Sequence, residues 1–213
     1  MIAIVDYGRG NLGSVRKALA RVGGEVVITD DRRTVERARV LVVPGDGAFA
    51  EAMRSLERLA LIEPIRAHIL AGRPYLGICL GYQLLFTESE EFGHAKGLDV
   101  LPGVVRRFPA GLKVPHMGWN QLCLPRAGAS GSPILAGIPD GAYFYFVHSY
   151  YPDAGDLEGC AVATCEYGVT FPALLVRGGL CGTQFHPEKS QRWGLRLLEN
   201  FALSVGREAG TAA

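Results

Sequence analysis

The sequence predicts an α/β fold: an open, mostly parallel sheet with helices on both faces and an antiparallel extension in the second half. Two observations lead to the parallel sheet. Short apolar runs bounded by Gly, Pro or Asp are typical of strands buried on both faces, and four of them occur at residues 2–8, 25–30, 40–45 and 74–79. Longer amphipathic stretches separate them, and parallel strands need such crossover connections.

The amphipathic stretches have the spacing of helices. Residues 11–23 place four apolar side chains on one helical face, namely Leu12, Val15, Leu19 and Val22. Residues 48–70 do the same with Met53, Leu56, Leu59 and Ile65. Proline removes a backbone donor and clashes with the preceding turn, so Pro64 is expected to divide this second stretch into two helices.

After about residue 97 the pattern changes to short strands joined by Gly and Pro turns, which predicts the antiparallel extension. These strands are expected within residues 100–109, 113–125, 142–152, 160–168, 171–179 and 180–188. A final helix is expected over residues 190–205. The chain is therefore predicted to form a single domain over residues 1–206, followed by a flexible tail at 207–213.

Composition excludes several classes of function. The formal net charge is +1 and no run of Lys and Arg is present, so nucleic acid is not an expected partner. No stretch approaches the roughly 20 apolar residues of a membrane helix, and Asp6 interrupts the opening too early for a cleaved leader. The five cysteines are odd in number and lack C-x-x-C spacing, which predicts neither a disulfide framework nor a metal site. A reducing cytoplasm fits this usage, and no cofactor is expected.

Residues 8–13, "GRGNLG", form a literal G-x-G-x-x-G between a predicted strand and a predicted helix. Asp30 ends the next strand at a distance that would suit a ribose contact, so a dinucleotide site is one interpretation. A tight strand-to-helix turn is the other. The second half lacks the repeated strand and helix pairs of a full dinucleotide fold, which disfavours the first interpretation.

Cys79 lies where a predicted strand runs directly into a predicted helix, with Gly77 and Gly81 two residues to either side. This spacing is typical of a nucleophile elbow, a sharp turn in which bulkier neighbours would collide. The following helix would aim its first amides at the sulfur, lowering the thiol pKa and later stabilising an oxyanion. A buried cysteine that only fills the core is the alternative.

A nucleophilic thiol needs a base, and the chain has five histidines. His68 and His94 are expected to be solvated, one on the polar side of a helix and one in a loop. His186 ends the last predicted strand, and Glu188 follows two residues later across Pro187. In an extended segment these two side chains would share one face, so the carboxylate could orient the imidazole.

At this point the motifs resemble a known family. "GICLGYQLLF" (77–86) and "QFHPEKS" (184–190) are similar to the triad-type, class I glutamine amidotransferases. "DYGRGNLGSV" (6–15), "PGDGAF" (44–49), "PHMGWN" (115–120) and "YFVHSY" (145–150) resemble more narrowly the glutaminase subunits of imidazole glycerol phosphate synthases. The resemblance runs from residue 4 to about 203, and it implies a flavodoxin-like fold and no dinucleotide.

The resemblance implies roles for individual residues. Cys79 would attack the side-chain amide of L-glutamine, His186 would transfer protons and Glu188 would orient His186. The oxyanion hole would comprise the amide of Leu80 and the loop of Gly45, Asp46 and Gly47, in which glycines make a peptide rotation cheap. The expected substrate contacts are Gln83, Glu91, Ser149 and Tyr150.

The family also implies a partner, a cyclase subunit that forms a heterodimer with the glutaminase and uses its ammonia in histidine biosynthesis. The residues expected at this interface are Pro115, Met117, Trp119, Asn120, Tyr145 and Lys189. For Trp119, packing in the core is an equally weighted alternative. A glutaminase of another synthase, a cysteine hydrolase of related fold and a non-catalytic binding module remain open.

Two residues depart from the family pattern, which usually has Val in place of Asp46 and Met in place of Tyr82. A carboxylate beside a developing oxyanion would be unfavourable. Asp46 is therefore predicted to point to solvent or to pair with a cation, and Tyr82 to repack the helix.

Overall fold

The structure is a computed structural model that describes residues 1–23, 25–124, 132–155 and 157–208, with side chains up to residue 204. A seven-stranded sheet forms its centre, with strand order β11-β12-β13-β4-β3-β1-β2. The bounds of these strands are β1 Ile2–Val5, β2 Val26–Thr29, β3 Val40–Gly45, β4 Tyr75–Cys79, β11 Ala161–Glu166, β12 Thr170–Arg177 and β13 Leu180–Thr183.

Five strands of this sheet are parallel to one another, because β13 pairs in parallel with β4, and β4, β3, β1 and β2 continue in the same direction. Strands β12 and β11 extend the sheet antiparallel. The predicted fold class is therefore confirmed. The parallel arrangement brings the carboxyl ends of β1, β3, β4 and β13 to one edge of the sheet.

Helices cover both faces of the sheet. Their bounds are α1 Leu12–Arg21, α2 Arg32–Arg37, α3 Phe49–Arg58, α4 Ile62–Leu70, α5 Leu80–Gln83 and α6 Gln191–Glu208. One core cluster joins α1 and α6 to one face of the sheet, with Val15 and Leu19 fully buried as the helical spacing predicted. The other cluster joins α2, α3 and α4 to the opposite face.

Two smaller sheets complete the second half. A four-stranded sheet has the order β10-β7-β5-β6, with β5 Phe86–Ser89, β6 Ala95–Lys96, β7 Leu101–Arg107 and β10 Tyr150–Asp153. A two-stranded antiparallel sheet pairs β8 His116–Leu122 with β9 Ala142–His148. None of the helices in the described part of the chain is long and apolar enough to cross a membrane.

Some element boundaries differ from the sequence prediction. The break between α3 and α4 falls at residues 59–61, where Ala60 has a φ of 55°. Pro64 instead lies within the first turn of α4, where its missing N–H costs no helical hydrogen bond. The last helix runs to Glu208, and the rest of the predicted tail, 209–213, lies outside the described residues.

Candidate active site

Cys79 is the last residue of β4 and has φ 55° and ψ −107°, a conformation that L residues rarely adopt. The one-turn helix α5 begins at the next residue. A Cβ at Gly81 would lie 1.7 Å from the carbonyl oxygen of Val43, and one at Gly77 would lie 2.7 Å from the carbonyl oxygen of Gly81. Both positions therefore require glycine, and the strained turn exposes the sulfur to a cavity.

His186 and Glu188 are joined by a hydrogen bond of 2.9 Å between Nδ1 of the imidazole and Oε1 of the carboxylate. The prediction of an extended segment from His186 to Glu188 is wrong. Residues Pro187–Lys189 form a single 3-10 turn that begins directly after His186, and this turn brings the carboxylate back to the ring. Only 1% of the Glu188 side chain is exposed, so the pair is held in a low-dielectric setting.

Several effects act on the pKa of His186. Burial lowers it, because a buried imidazolium loses hydration. The neighbouring Cys79 sulfur raises it through charge and hydrogen bonding, and Glu188 raises it further. Together these neighbours raise the pKa of His186 to about 10. The Cys79 sulfur and the Glu188 carboxylate therefore both favour the protonated form of the imidazole.

The end of β3 lies beside the elbow, since its last residue, Gly45, is the register partner of Cys79, and the loop continues from Asp46. Gly47 has a φ of 81°, which favours glycine. Asp46 is exposed, and its Oδ1 accepts a hydrogen bond of 3.1 Å from the amide of Gly10. The prediction that Asp46 points to solvent is confirmed, and its bonded partner is a backbone amide rather than a cation.

A cavity of about 590 Å³ opens over this edge of the sheet. It brings together every predicted triad, oxyanion and substrate residue, together with Pro115 and Lys189 of the predicted interface. Its lining consists of Asn11, Val15, Pro44, Gly45, Asp46, Gly47, Ala48, Cys79, Leu80, Gln83, Glu91, Phe92, Pro115, Val147, His148, Ser149, Tyr150, His186, Glu188 and Lys189.

The predicted substrate residues carry their own hydrogen bonds. Nε2 of Gln83 donates to the carbonyl of Tyr150 at 2.9 Å and to Oε1 of Gln184 at 3.0 Å. Oε2 of Glu91 accepts a 2.6 Å hydrogen bond from the amide of Phe49. Burial raises the pKa of Glu91, and the residue contributes to the lining of the cavity.

The other predicted interface residues lie outside the cavity lining. Met117 and Trp119 are 65% and 46% exposed on β8, so the core-packing alternative for Trp119 is wrong. The Trp119 ring meets the Tyr145 ring edge-on with centroids 6.0 Å apart, and Lys189 Nζ lies 6.0 Å from the Tyr145 ring. Asn120 is half-buried on the opposite side of the strand.

Gln184 and His148 lie at the site but were not predicted from the sequence to do so. Nε2 of Gln184 lies 3.8 Å from the Cys79 sulfur, and His148 lines the cavity. The sequence indicated these two residues only by their proximity to predicted site residues. Gln184 precedes His186 by two residues, and His148 directly precedes two predicted substrate residues.

Three further sequence predictions, for His68, His94 and Tyr82, can be compared with the structure. His68 is fully buried rather than solvated, because the segment around Pro74 covers that side of α4, and its Nε2 donates to the Pro74 carbonyl at 2.9 Å. His94 is exposed as predicted. Tyr82 is fully buried with its ring packed against Gly182, and its hydroxyl donates a hydrogen bond of 3.2 Å to the Pro172 carbonyl.

The "GRGNLG" segment forms the turn between β1 and α1. Asn11 caps the helix by accepting a 3.1 Å hydrogen bond from the amide of Ser14. A Cβ at Gly10 would lie 3.3 Å from the backbone of Gly45, so this turn packs against the loop after β3. The segment therefore forms the strand-to-helix turn that was one of the two interpretations, and its Asn11 contributes to the lining of the Cys79 cavity.

Comparison with known proteins agrees with this geometry. The family model described as glutamine amidotransferase class-I matches residues 3–205. The imidazole glycerol phosphate synthase subunit HisH of Moorella thermoacetica is 54% identical over 99% of this chain and 98% of its own length. The subunit of the same name from Desulfitobacterium hafniense is 50% identical over 98% of this chain and 97% of its own length.

Solved structures share the fold at lower identity. A crystal structure of a glutamine amidotransferase has a TM-score of 0.74 at 22% identity and covers 97% of this chain and 100% of its own. A glutamine amidotransferase from Thermotoga maritima has a TM-score of 0.63 at 17% identity, covering 98% of this chain and 84% of its own. With the elbow, the His186–Glu188 pair and these relatives together, the chain belongs to the class I glutamine amidotransferase family.

Proposed function

We propose that the protein hydrolyses L-glutamine to glutamate and ammonia, and that it delivers the ammonia to a cyclase subunit that makes imidazole glycerol phosphate and AICAR in histidine biosynthesis. The observation that carries the chemistry is the strained Cys79, placed in one cavity with an imidazole that Glu188 holds at 2.9 Å. The partner and pathway are supported by relatives named HisH at 50 to 54% identity over nearly their full length.

Acylation starts with the Cys79 sulfur attacking the side-chain amide carbon of glutamine, which forms a C–S bond and a tetrahedral oxyanion. The amide of Leu80 and the rearranged loop at Gly45 and Asp46 stabilise that oxyanion. The C–N bond then breaks as His186 donates its proton to the departing nitrogen. The raised pKa of His186 suits this role, because the proton is already on the ring.

Deacylation uses the same groups in reverse. Water attacks the thioester carbon and His186 takes a proton from that water. The C–S bond then breaks, which releases glutamate, with its acid proton passing to solvent, and restores the Cys79 thiolate beside protonated His186. Glu188 stabilises the imidazolium in both half-reactions and keeps the ring in one orientation. Gln83, Glu91, Ser149 and Tyr150 are proposed to hold the substrate, with Glu91 facing its amino group.

The proposed cyclase docks against the surface of Pro115, Met117, Trp119, Asn120, Tyr145 and Lys189, all on or next to β8 and β9 or the 3-10 turn. Exposed large apolar side chains next to a cavity are typical of a protein interface. A cytoplasmic location is part of the proposal, because the chemistry requires Cys79 to stay reduced.

The test is glutamate release measured for the protein alone, with the cyclase, and with the cyclase plus its ligand. We expect release to depend on Cys79, and size exclusion to show a 1:1 complex. A glutamine-like electrophile should label one thiol, Cys79, with protection by glutamine. A protein that stays monomeric beside the cyclase but still releases glutamate would indicate a glutaminase of another synthase, and labelling without glutamine protection would indicate a different cysteine hydrolase.

A further inference from the structure

Two buried histidines lie side by side, and the proposed chemistry uses neither of them. His116 on β8 and His148 on β9 are register partners, and they are 4% and 6% exposed. Nδ1 of His116 lies 3.0 Å from Nε2 of His148. One of these nitrogens must donate and the other must accept, so the proton positions follow from what each ring contacts at its other end.

The first end of the pair is the backbone of Tyr150. Nδ1 of His148 lies 2.8 Å from the Tyr150 carbonyl oxygen, which can only accept. The His148 proton is therefore on Nδ1, and a neutral ring leaves a lone pair on Nε2. His116 must then donate from its own Nδ1, which leaves its Nε2 as an acceptor.

The second end of the pair is Asn120, whose amide orientation is fixed without reference to either histidine. Its Oδ1 accepts from the amide of Gln121 at 2.8 Å, and its Nδ2 donates to the Glu166 carbonyl at 2.9 Å. The same Nδ2 lies 3.2 Å from Nε2 of His116. The Asn120 amide therefore donates to Nε2 of His116, the nitrogen that must accept. The contacts at Asn120 and at Tyr150 thus require the same direction of donation, from Asn120 towards Tyr150.

The setting keeps both rings neutral. Burial lowers the pKa of His116 to about 4 and that of His148 to about 3, and His148 is lowered further by the charges of His116 and His186. The His116 ring also stacks on Tyr167 with centroids 4.1 Å apart. A second proton on either ring would place a donor against a donor, which is a further cost.

The chain of hydrogen bonds continues past Tyr150 to the nucleophile. The Tyr150 carbonyl also accepts from Gln83, Gln83 donates to Gln184, and Gln184 Nε2 lies 3.8 Å from the Cys79 sulfur. A continuous path of side chains and one carbonyl thus runs from β8 to the reacting atom.

We propose that Asn120, His116 and His148 are positioning residues that form a one-directional hydrogen-bond relay. The relay fixes the Tyr150 carbonyl, and through it Gln83 and Gln184, so that the shape of the glutamine pocket depends on the position of β8. Met117 and Trp119 project from the other side of that strand. The kinetic consequence rests on the proposed function, whereas the direction of the relay does not.

The direction is tested by ¹⁵N NMR of the histidine rings in the full chain at pH 7, with each signal assigned from a His→Gln variant. We expect His116 and His148 to be neutral and protonated on Nδ1. Asn120→Asp should make His116 doubly protonated, since a carboxylate oxygen would face its Nε2. Gln121→Glu is the matched control, because it adds the same charge at an exposed neighbour and should leave both rings unchanged. An Nε2-protonated or charged ring in the unmodified protein would overturn the relay.

The positioning role is tested with the cyclase complex. His116→Phe keeps an aromatic ring against Phe146 and Tyr167 but breaks the relay at its centre. We expect it to raise the KM for glutamine about 2- to 10-fold, the worth of one hydrogen bond, with a smaller change in kcat. Asn120→Leu, which removes the donor to Nε2 of His116, should raise the KM in the same direction. Gln121→Glu should leave both parameters as they are.

The outcomes separate the two proposals. If the unmodified protein releases no glutamate with the cyclase, the proposed function fails and the NMR result stands independently. If it releases glutamate but Asn120→Leu and His116→Phe keep its KM and kcat, the positioning role is wrong. Should His116→Phe fail to fold, Asn120→Leu still decides, because it removes the donor at the end of the relay by changing a half-buried side chain.

Discussion

Oδ1 of Asp46 accepts a hydrogen bond of 3.1 Å from the amide of Gly10. This bond joins the loop after β3 to the turn after β1. Asp46 and Gly45 belong to the loop that is proposed to rotate a peptide when the oxyanion forms. The bond therefore joins the segment that is proposed to rotate to the turn that precedes α1.

Asp46→Val should raise the basal rate of glutamate release roughly threefold, because it removes this tether and also a negative charge near the oxyanion. The rate with cyclase and ligand should change less. Asp46→Asn separates the two effects, since the amide oxygen can keep the bond to Gly10. Unchanged basal and stimulated rates in Asp46→Val would show that Asp46 exerts no control.

Glu188→Gln should lower kcat for glutamate release about 100-fold in the cyclase complex, since the imidazolium loses its charged partner while the ring keeps an acceptor. The KM for glutamine should change little. Glu199→Gln, on the exposed side of α6, is the control for an equal change of charge. A loss below about threefold would remove Glu188 from the proposed triad.

Gly81→Ala should destabilise the fold by about 3 kcal/mol or more, because the new methyl group would meet the Val43 carbonyl at 1.7 Å. Chemical denaturation measures this change. Gly155→Ala is the matched control, since its Cβ would enter open space. Equal midpoints for the two variants would mean that the elbow can relax around a side chain.

Tyr82 and Gly182 should be energetically coupled. A Cβ at Gly182 would lie 2.1 Å from the Tyr82 ring. Gly182→Ala alone should therefore lower the free energy of unfolding by about 1–3 kcal/mol. Tyr82→Met alone should lower the free energy of unfolding by about 1–2 kcal/mol, because the hydrogen bond to the Pro172 carbonyl is lost. In the double variant the costs should not add, as a double-mutant cycle would show. Strict additivity would contradict the contact.

Acid should destabilise the protein partly through His68. Burial lowers the pKa of His68 from 6.5 to about 4, so between these values the unfolded chain binds a proton that the folded chain does not. Stability is thus lost as pH falls from 6.5 to 4. His68→Gln should reduce that loss by about 2 kcal/mol in denaturation curves at the two pH values, and the exposed His94→Gln should leave it unchanged.

The elbow could be predicted because its cause is local: two glycines at fixed spacing around a cysteine between a strand and a helix leave few other conformations. The pairing of His186 with Glu188 was also predicted, but for a different backbone, since a 3-10 turn rather than a strand brings them together. Both arguments needed only a few neighbouring residues.

The relay and the buried state of His68 could not be predicted in the same way. The His116–His148 bond depends on the register between β8 and β9, and the cover over His68 depends on where the chain passes at Pro74. Helical periodicity assigned His68 to the polar side of α4 because it contains no information about that neighbouring segment.

The sheet order has a consequence for how the protein is made. Strand β13 lies between β12 and β4, so the last strand of the sheet to be synthesised takes an interior position beside the one that carries Cys79. Contacts this distant in sequence form late, and a nascent chain emerges from its amino terminus. A ribosome that has not yet reached Leu180 holds a chain in which Cys79 lacks its proposed base, His186. The proposed triad can therefore assemble only after β13 has been synthesised, because the segment that follows this strand supplies both His186 and Glu188.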